Sequence, residues 1–135
     1  MQLDFSSFVR AVALLDDGLE RYNRDTSDAQ IRDGLIQRFE FAYDLAHKML
    51  RRQLESVSAN PDQVDRLSFA DLIRSVTEQG LIGSDWSSWR TWREMRSATT
   101  HTYDETKALQ VVAGIPGFLA EAQDLAERSH QVRFV

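Results

Sequence analysis

Apolar residues recur along this chain at steps of three and four, and no segment alternates convincingly at a period of two. Such spacing lines one face of an α-helix and offers nothing to a sheet. From about Leu3 to Tyr22 the stripe is Phe5, Phe8, Val9, Val12, Leu15, Leu19 and Tyr22. The polar run Asn23 to Ser27 ends it, and Ser27 or Asp28 is placed to cap a long second helix reaching about Val57. Ile31, Leu35, Phe39, Ala42, Ala46, Met49 and Leu50 form its core-facing stripe. Asn60-Pro61-Asp62 reads as a turn. Ser68, followed by Asp71, opens a short helix that Gly80 closes in a left-handed conformation. Ser84 or Asp85 caps the next helix, which carries Trp86, Trp89, Trp92 and Met95. Ser97 to Thr102 is rich in hydroxyls that compete for backbone hydrogen bonds, so a break is predicted there. Asp104 and Glu105 suit the positive start of a last helix. That helix runs to about His130, interrupted around Gly114-Ile115-Pro116-Gly117. The expected fold is all-α, an up-down antiparallel bundle of about five helices.

The sequence has 135 residues, one domain's worth, and folding such a chain hides about 68% of its unfolded surface. No linker, repeat or low-complexity tract divides it, so 1–135 is expected to be one helical domain. Without cysteine there is no disulfide, thiolate metal site or cysteine nucleophile. The longest apolar run, Ala11 to Leu15, is too short to span a bilayer, and Met1-Gln2-Leu3-Asp4 lacks a basic, signal-like start. The expectation is therefore cytoplasmic, with no membrane association. A net charge of -5 argues against a general coat for nucleic acid but leaves room for a local basic site. Lys48 and Lys107 are the only lysines among 16 basic residues; the others are arginine, whose rigid fork suits phosphate and carboxylate. Codon usage in a GC-rich genome is the better account of that total, so only the placement of particular arginines informs.

Most site patterns are missing. Gly114-Ile115-Pro116-Gly117 has no Gly-Lys-Ser/Thr end and no preceding strand, so it is no phosphate loop. His47, His101 and His130 lack a second histidine or paired carboxylate at ligand spacing, so neither a metal site nor a cofactor is expected. No serine sits in a nucleophile elbow. One segment stands apart, Arg90 to Tyr103. On an unbroken helix Trp89, Arg93, Arg96, Thr100 and Tyr103 share a face, and aromatic rings beside guanidinium groups can stack bases and hold phosphates. His101 would then point about 140° away from Arg96. The two converge only if the helix unwinds near Thr99 or a second chain supplies one of them. The competing reading is structural: tryptophans at three-residue steps are ordinarily core or interface, with arginine stems laid over their rings.

Arg96-x4-His101-x-Tyr103 matches the HEPN superfamily's signature of an arginine, four to six residues and a histidine. The tyrosine that follows resembles the extended form in its HepT-like branch. Ile36-Gln37-Arg38-Phe39-Glu40-Phe41 with Leu45-Ala46 and Lys48 resembles that branch's long second helix. Gly80-Leu81-Ile82 with Trp86 and Trp92 looks like its approach to the motif, and Asp104-Glu105 with Ala108 its continuation. The resemblance covers about Leu3 to Arg128. Two positions depart from it: Ser97 stands where many relatives carry Asn, and His47 where many carry Trp. The second substitution marks His47 as a packing position.

The resemblance implies a helical bundle that dimerises, with two motifs facing one cleft. It also implies two alternative functions, each with a cognate minimal nucleotidyltransferase as partner. One is the toxin half of a toxin-antitoxin pair, a metal-independent endoribonuclease in which Arg96 and His101 are catalytic. The partner silences it by transferring AMP to Tyr103. The other is a non-catalytic substrate-binding subunit of that nucleotidyltransferase. The toxin chemistry is workable: an imidazole can move protons at neutral pH, and a guanidinium can clamp non-bridging phosphate oxygens. A phosphodiester on Tyr103 would block such a cleft sterically and by charge. Arg90 and Arg93 are candidate contacts to the RNA backbone. An ion pair within the bundle is expected for Arg38 and Glu40.

Overall fold

The computed structural model describes residues 4–133, with side chains described through residue 128. Six α-helices run α1 Ser6–Arg24, α2 Ala29–Val57, α3 Pro61–Val64, α4 Phe69–Glu78, α5 Trp86–Ala98 and α6 Glu105–Arg133. A 3-10 turn, Thr99–His101, joins the last two, and no strand occurs among the described residues. The architecture is the all-α bundle read from the sequence. The additional helix, α3, is a single turn begun by Pro61 where a turn was expected.

The helix ends follow local chemistry. Asp28 accepts hydrogen bonds from the backbone N–H groups of Gln30 and Ile31 and so caps α2. Ser68 does the same for Asp71 at the start of α4, and Asp85 for Ser88 at the start of α5. Gly80 follows α4 at φ 72°, a conformation that glycine adopts without steric cost. The predicted start of the first helix at Leu3 lies outside the described residues; the helix begins at Ser6, whose N–H donates to Asp4.

One apolar core joins α1, α2, α4, α5 and α6. Phe8, Leu15, Leu35, Phe39, Leu50, Trp89, Ile115 and Phe118 are fully buried within it. Trp89, Trp92, Tyr43 and Phe118 meet edge-on or tilted at centroid distances of 5.0–6.4 Å, the arrangement aromatic quadrupoles favour. Burial raises Tyr43 to about 12. Val9, expected in the first stripe, is exposed instead.

The expected interruption of the last helix does not occur. Helix α6 runs through Pro116 without a break. An internal proline costs about 3 kcal/mol. Burying Ile115, Phe118 and Leu119 contributes about 1.5–3 kcal/mol per side chain, which offsets that cost.

Candidate functional site

Arg90, Arg93 and Arg96 lie on α5, His101 ends the 3-10 turn that follows it, and Tyr103 stands between that turn and α6. Trp89 orients α5: its Nε1 donates to Ser84 Oγ at 2.8 Å, and Ser84 Oγ donates to Glu121 Oε1 on α6 at 2.7 Å. Burial of Glu121 pushes its carboxyl above the usual range. The tryptophans are therefore core, as the structural reading held.

Helix α5 ends because hydroxyls capture its last carbonyls. Thr99 Oγ1 donates to Arg96 O at 2.7 Å, Thr100 Oγ1 to Ser97 O at 3.0 Å and Thr102 Oγ1 to Thr99 O at 3.3 Å. Each bond spans three residues and tightens the chain into the 3-10 turn. Asp104 Oδ1 then accepts from the N–H groups of Thr106 and Lys107 and starts α6. The departure from α-helical geometry falls at Thr99, inside the Ser97–Thr102 run where a break was predicted.

The arginine does not stand free. Its Nε and Nη2 donate to the two carboxylate oxygens of Asp44 at 3.0 and 3.1 Å, a bidentate pair from α5 to α2. Nη1 donates to Thr99 Oγ1 at 2.9 Å, and Glu40 Oε2 stands 3.9 Å from Nη1. Asp44's hydrogen bonds above all hold the guanidinium in its charged form. Of the bundle ion pairing expected for Arg38 and Glu40, Glu40 has a partner in Arg96, and the expectation is corrected for Arg38. Arg38 Nη1 instead donates to Leu14 O at 2.7 Å, joining α2 to α1, and Glu40 faces Arg96.

His101, at the end of the turn, and Tyr103, just past it, are both exposed. Tyr103 is 86% exposed, with its hydroxyl 3.4 Å from His101 Nδ1. Arg93 lays its guanidinium over the Phe69 ring, 5.5 Å from the centroid. Arg90 pairs with Glu94 at 3.5 Å across one helical turn, an exposed contact of small energetic weight. His47 packs edge-on against Phe69 at 4.6 Å, and its buried Nε2 has no hydrogen-bond partner. Burial, with Arg51 nearby, lowers its pKa. It occupies the packing position expected of it. His130 lies beyond the described side chains. Among the described residues no group of three His, Asp or Glu side chains is arranged to hold a metal ion.

Asp44 and Thr99 are the residues that sequence reasoning missed. The available signal was the i,i+4 spacing of Glu40 and Asp44, which places two carboxylates on one face of α2. A groove of about 500 Å³ between α1 and α6, lined by Val9, Val12 and Gln123 among others, contains none of the motif residues. No described helix is long and apolar enough to cross a membrane.

Residues 3–131 match the family described as nucleotidyltransferase substrate binding protein like. The chain belongs to this family. Within it, the chain is 45% identical over 98 residues to a Haemophilus influenzae protein named "Probable ribonuclease HepT". That match covers 73% of this chain and 66% of the relative, so the chain spans just under two thirds of the relative's length. A solved Haemophilus influenzae structure aligns with a TM-score of 0.88 at 34% identity, covering 94% of this chain and 99% of that one. It is described as revealing the fold of a substrate binding domain of a nucleotidyltransferase. The HepT-like resemblance read from the motif is thus a family membership.

Proposed function

We propose that the chain is the toxin of a toxin-antitoxin pair, an endoribonuclease that works without a metal ion. The supporting observation is that α5 ends at Thr99 with Arg96 in its last turn, and that His101 and Tyr103 follow directly, both exposed, with the Tyr103 hydroxyl 3.4 Å from His101 Nδ1. In this reading His101 takes the proton of a ribose 2′-hydroxyl, and the 2′-oxygen attacks the adjacent phosphorus. The 5′-oxygen leaves and takes up a proton, so the products carry a 2′,3′-cyclic phosphate and a 5′-hydroxyl. Arg96 stabilises the charge that develops on the non-bridging oxygens. Arg93 and Arg90 guide the flanking backbone. The chain acts as a homodimer with two motifs facing one cleft, in the cytoplasm.

The antitoxin is a minimal nucleotidyltransferase. Tyr103 Oη attacks the α-phosphorus of ATP, loses its proton and displaces pyrophosphate, leaving AMP on the phenol. The exposure of Tyr103 suits entry to a second protein's active site, and its closeness to His101 puts the new negative charge where RNA would bind. A second reading, a non-catalytic substrate-binding subunit, draws on the family's description and on the two carboxylates that already surround Arg96.

Purified protein incubated with RNA in EDTA separates the two. Cleavage by the wild type that is lost in His101→Ala supports the nuclease. Silence of both, together with activation of the neighbouring nucleotidyltransferase on mixing, supports the subunit.

A further inference from the structure

We propose that Asp44 and Thr99 are positioning residues for Arg96, fixing its guanidinium so that two N–H groups face outward toward a single RNA phosphate. The ligand named here rests on the ribonuclease reading; the clamp itself rests on geometry. A guanidinium has five N–H donors. Asp44 takes those of Nε and one of Nη2, at 3.0 and 3.1 Å, and Thr99 Oγ1 takes one of Nη1 at 2.9 Å. Glu40, at 3.9 Å, is beyond hydrogen-bond range and adds charge alone. One N–H on each terminal nitrogen is left over.

Thr99 is itself immobilised. It is buried, and its own hydroxyl proton is committed to Arg96 O at 2.7 Å, so its lone pairs are the part turned to Nη1. The same hydroxyl that helps break the helix therefore holds the arginine, coupling the site's geometry to its backbone. Asp44 comes from α2, 52 residues away in sequence, so the plane of the fork is set by tertiary packing. An exposed ion pair held at one point would leave that plane free. Three bonds from two sides fix it.

The opposite role, a carboxylate plug that phosphate must displace, predicts opposite effects, and the test is built on that contrast. In ¹⁵N-labelled full-length protein, the Arg96 Nε–H resonance, assigned by its loss in Arg96→Lys, should exchange slowly with water. Asp44→Asn should abolish that protection, Thr99→Val should reduce it and Asp44→Glu should restore part of it. A single-stranded 2′-O-methyl oligonucleotide, which cannot be cleaved, should bind Asp44→Asn more weakly, by up to about tenfold, the scale of one charge-assisted hydrogen bond. On cleavable RNA, kcat should fall about a hundredfold in Asp44→Asn, the effect of an ångström-scale misplacement. Thr99→Val should lose about tenfold. Unchanged Nε–H protection in Asp44→Asn, or tighter oligonucleotide binding by it, overturns the proposal. If the wild type cleaves nothing, the nuclease reading falls while the exchange and binding measurements still decide the clamp.

Discussion

Gly114 offers a test of how the packing beneath the motif works. A Cβ built at this position would overlap Met95 Sδ and lie 2.7 Å from Met95 Cε. Alanine in a helix interior is favoured over glycine by about 1 kcal/mol, so on propensity alone Gly114→Ala stabilises. Overpacking costs about 1–3 kcal/mol, and Met95, only 8% exposed, has little room to retreat. The net expectation is a loss of about 1 kcal/mol, or roughly 3–5 °C in Tm for a chain of this size. Met95→Ala alone should cost about 2–5 kcal/mol through the cavity it leaves. In that background the clash is gone, and adding Gly114→Ala should recover about 1 kcal/mol. Urea denaturation of the two single variants and the double variant measures the reversal. A rise in stability for Gly114→Ala in the wild-type background would refute the claim that close approach of α5 to α6, and not a helix break, requires this glycine.

Two further outcomes follow from the site's surroundings. Burial lowers the folded-state pKa of His47, so the unfolded chain takes up its proton first as pH falls below the ordinary value of 6.5. Its contribution is neutral above that pH and destabilising below it, until the folded form also titrates; His47→Phe, which also removes the unpartnered Nε2, should flatten the stability difference between pH about 7.5 and about 5.5. An unchanged difference would show that other groups cause it. Tyr103→Phe should leave the fold intact and keep cleavage active when the partner nucleotidyltransferase and ATP are added, whereas the wild type should be silenced and gain the mass of AMP. Silencing of the phenylalanine variant would move the modification elsewhere.

The fold was legible wherever one local interaction decides the outcome. Asp28, Ser68 and Asp85 cap the helices they were read to cap, and Gly80 takes the left-handed conformation. The Ser97–Thr102 run broke the helix through the hydroxyl competition that its composition implied. The misreadings share one cause. Gly114 and Pro116 look like an interruption in isolation, but the side chains around them are buried on several elements at once, and that burial outweighs local preference. Asp44 was missed for the same reason: its spacing from Glu40 marks a carboxylate face on α2, but that this face meets Arg96 is decided by the packing of α2 against α5. The Phe69 ring beneath the Arg93 guanidinium is likewise a contact between helices that spacing within one helix does not reveal.

The chemistry of newly formed RNA ends tests the central claim most directly. Attack by the 2′-oxygen leaves 5′ fragments whose 3′ ends resist alkaline phosphatase until acid opens the cyclic phosphate, and it does so in EDTA with wild-type protein but with neither Arg96→Ala nor His101→Ala. Ends bearing a free 3′-hydroxyl, or cyclic ends still made by the His101 variant, would contradict it.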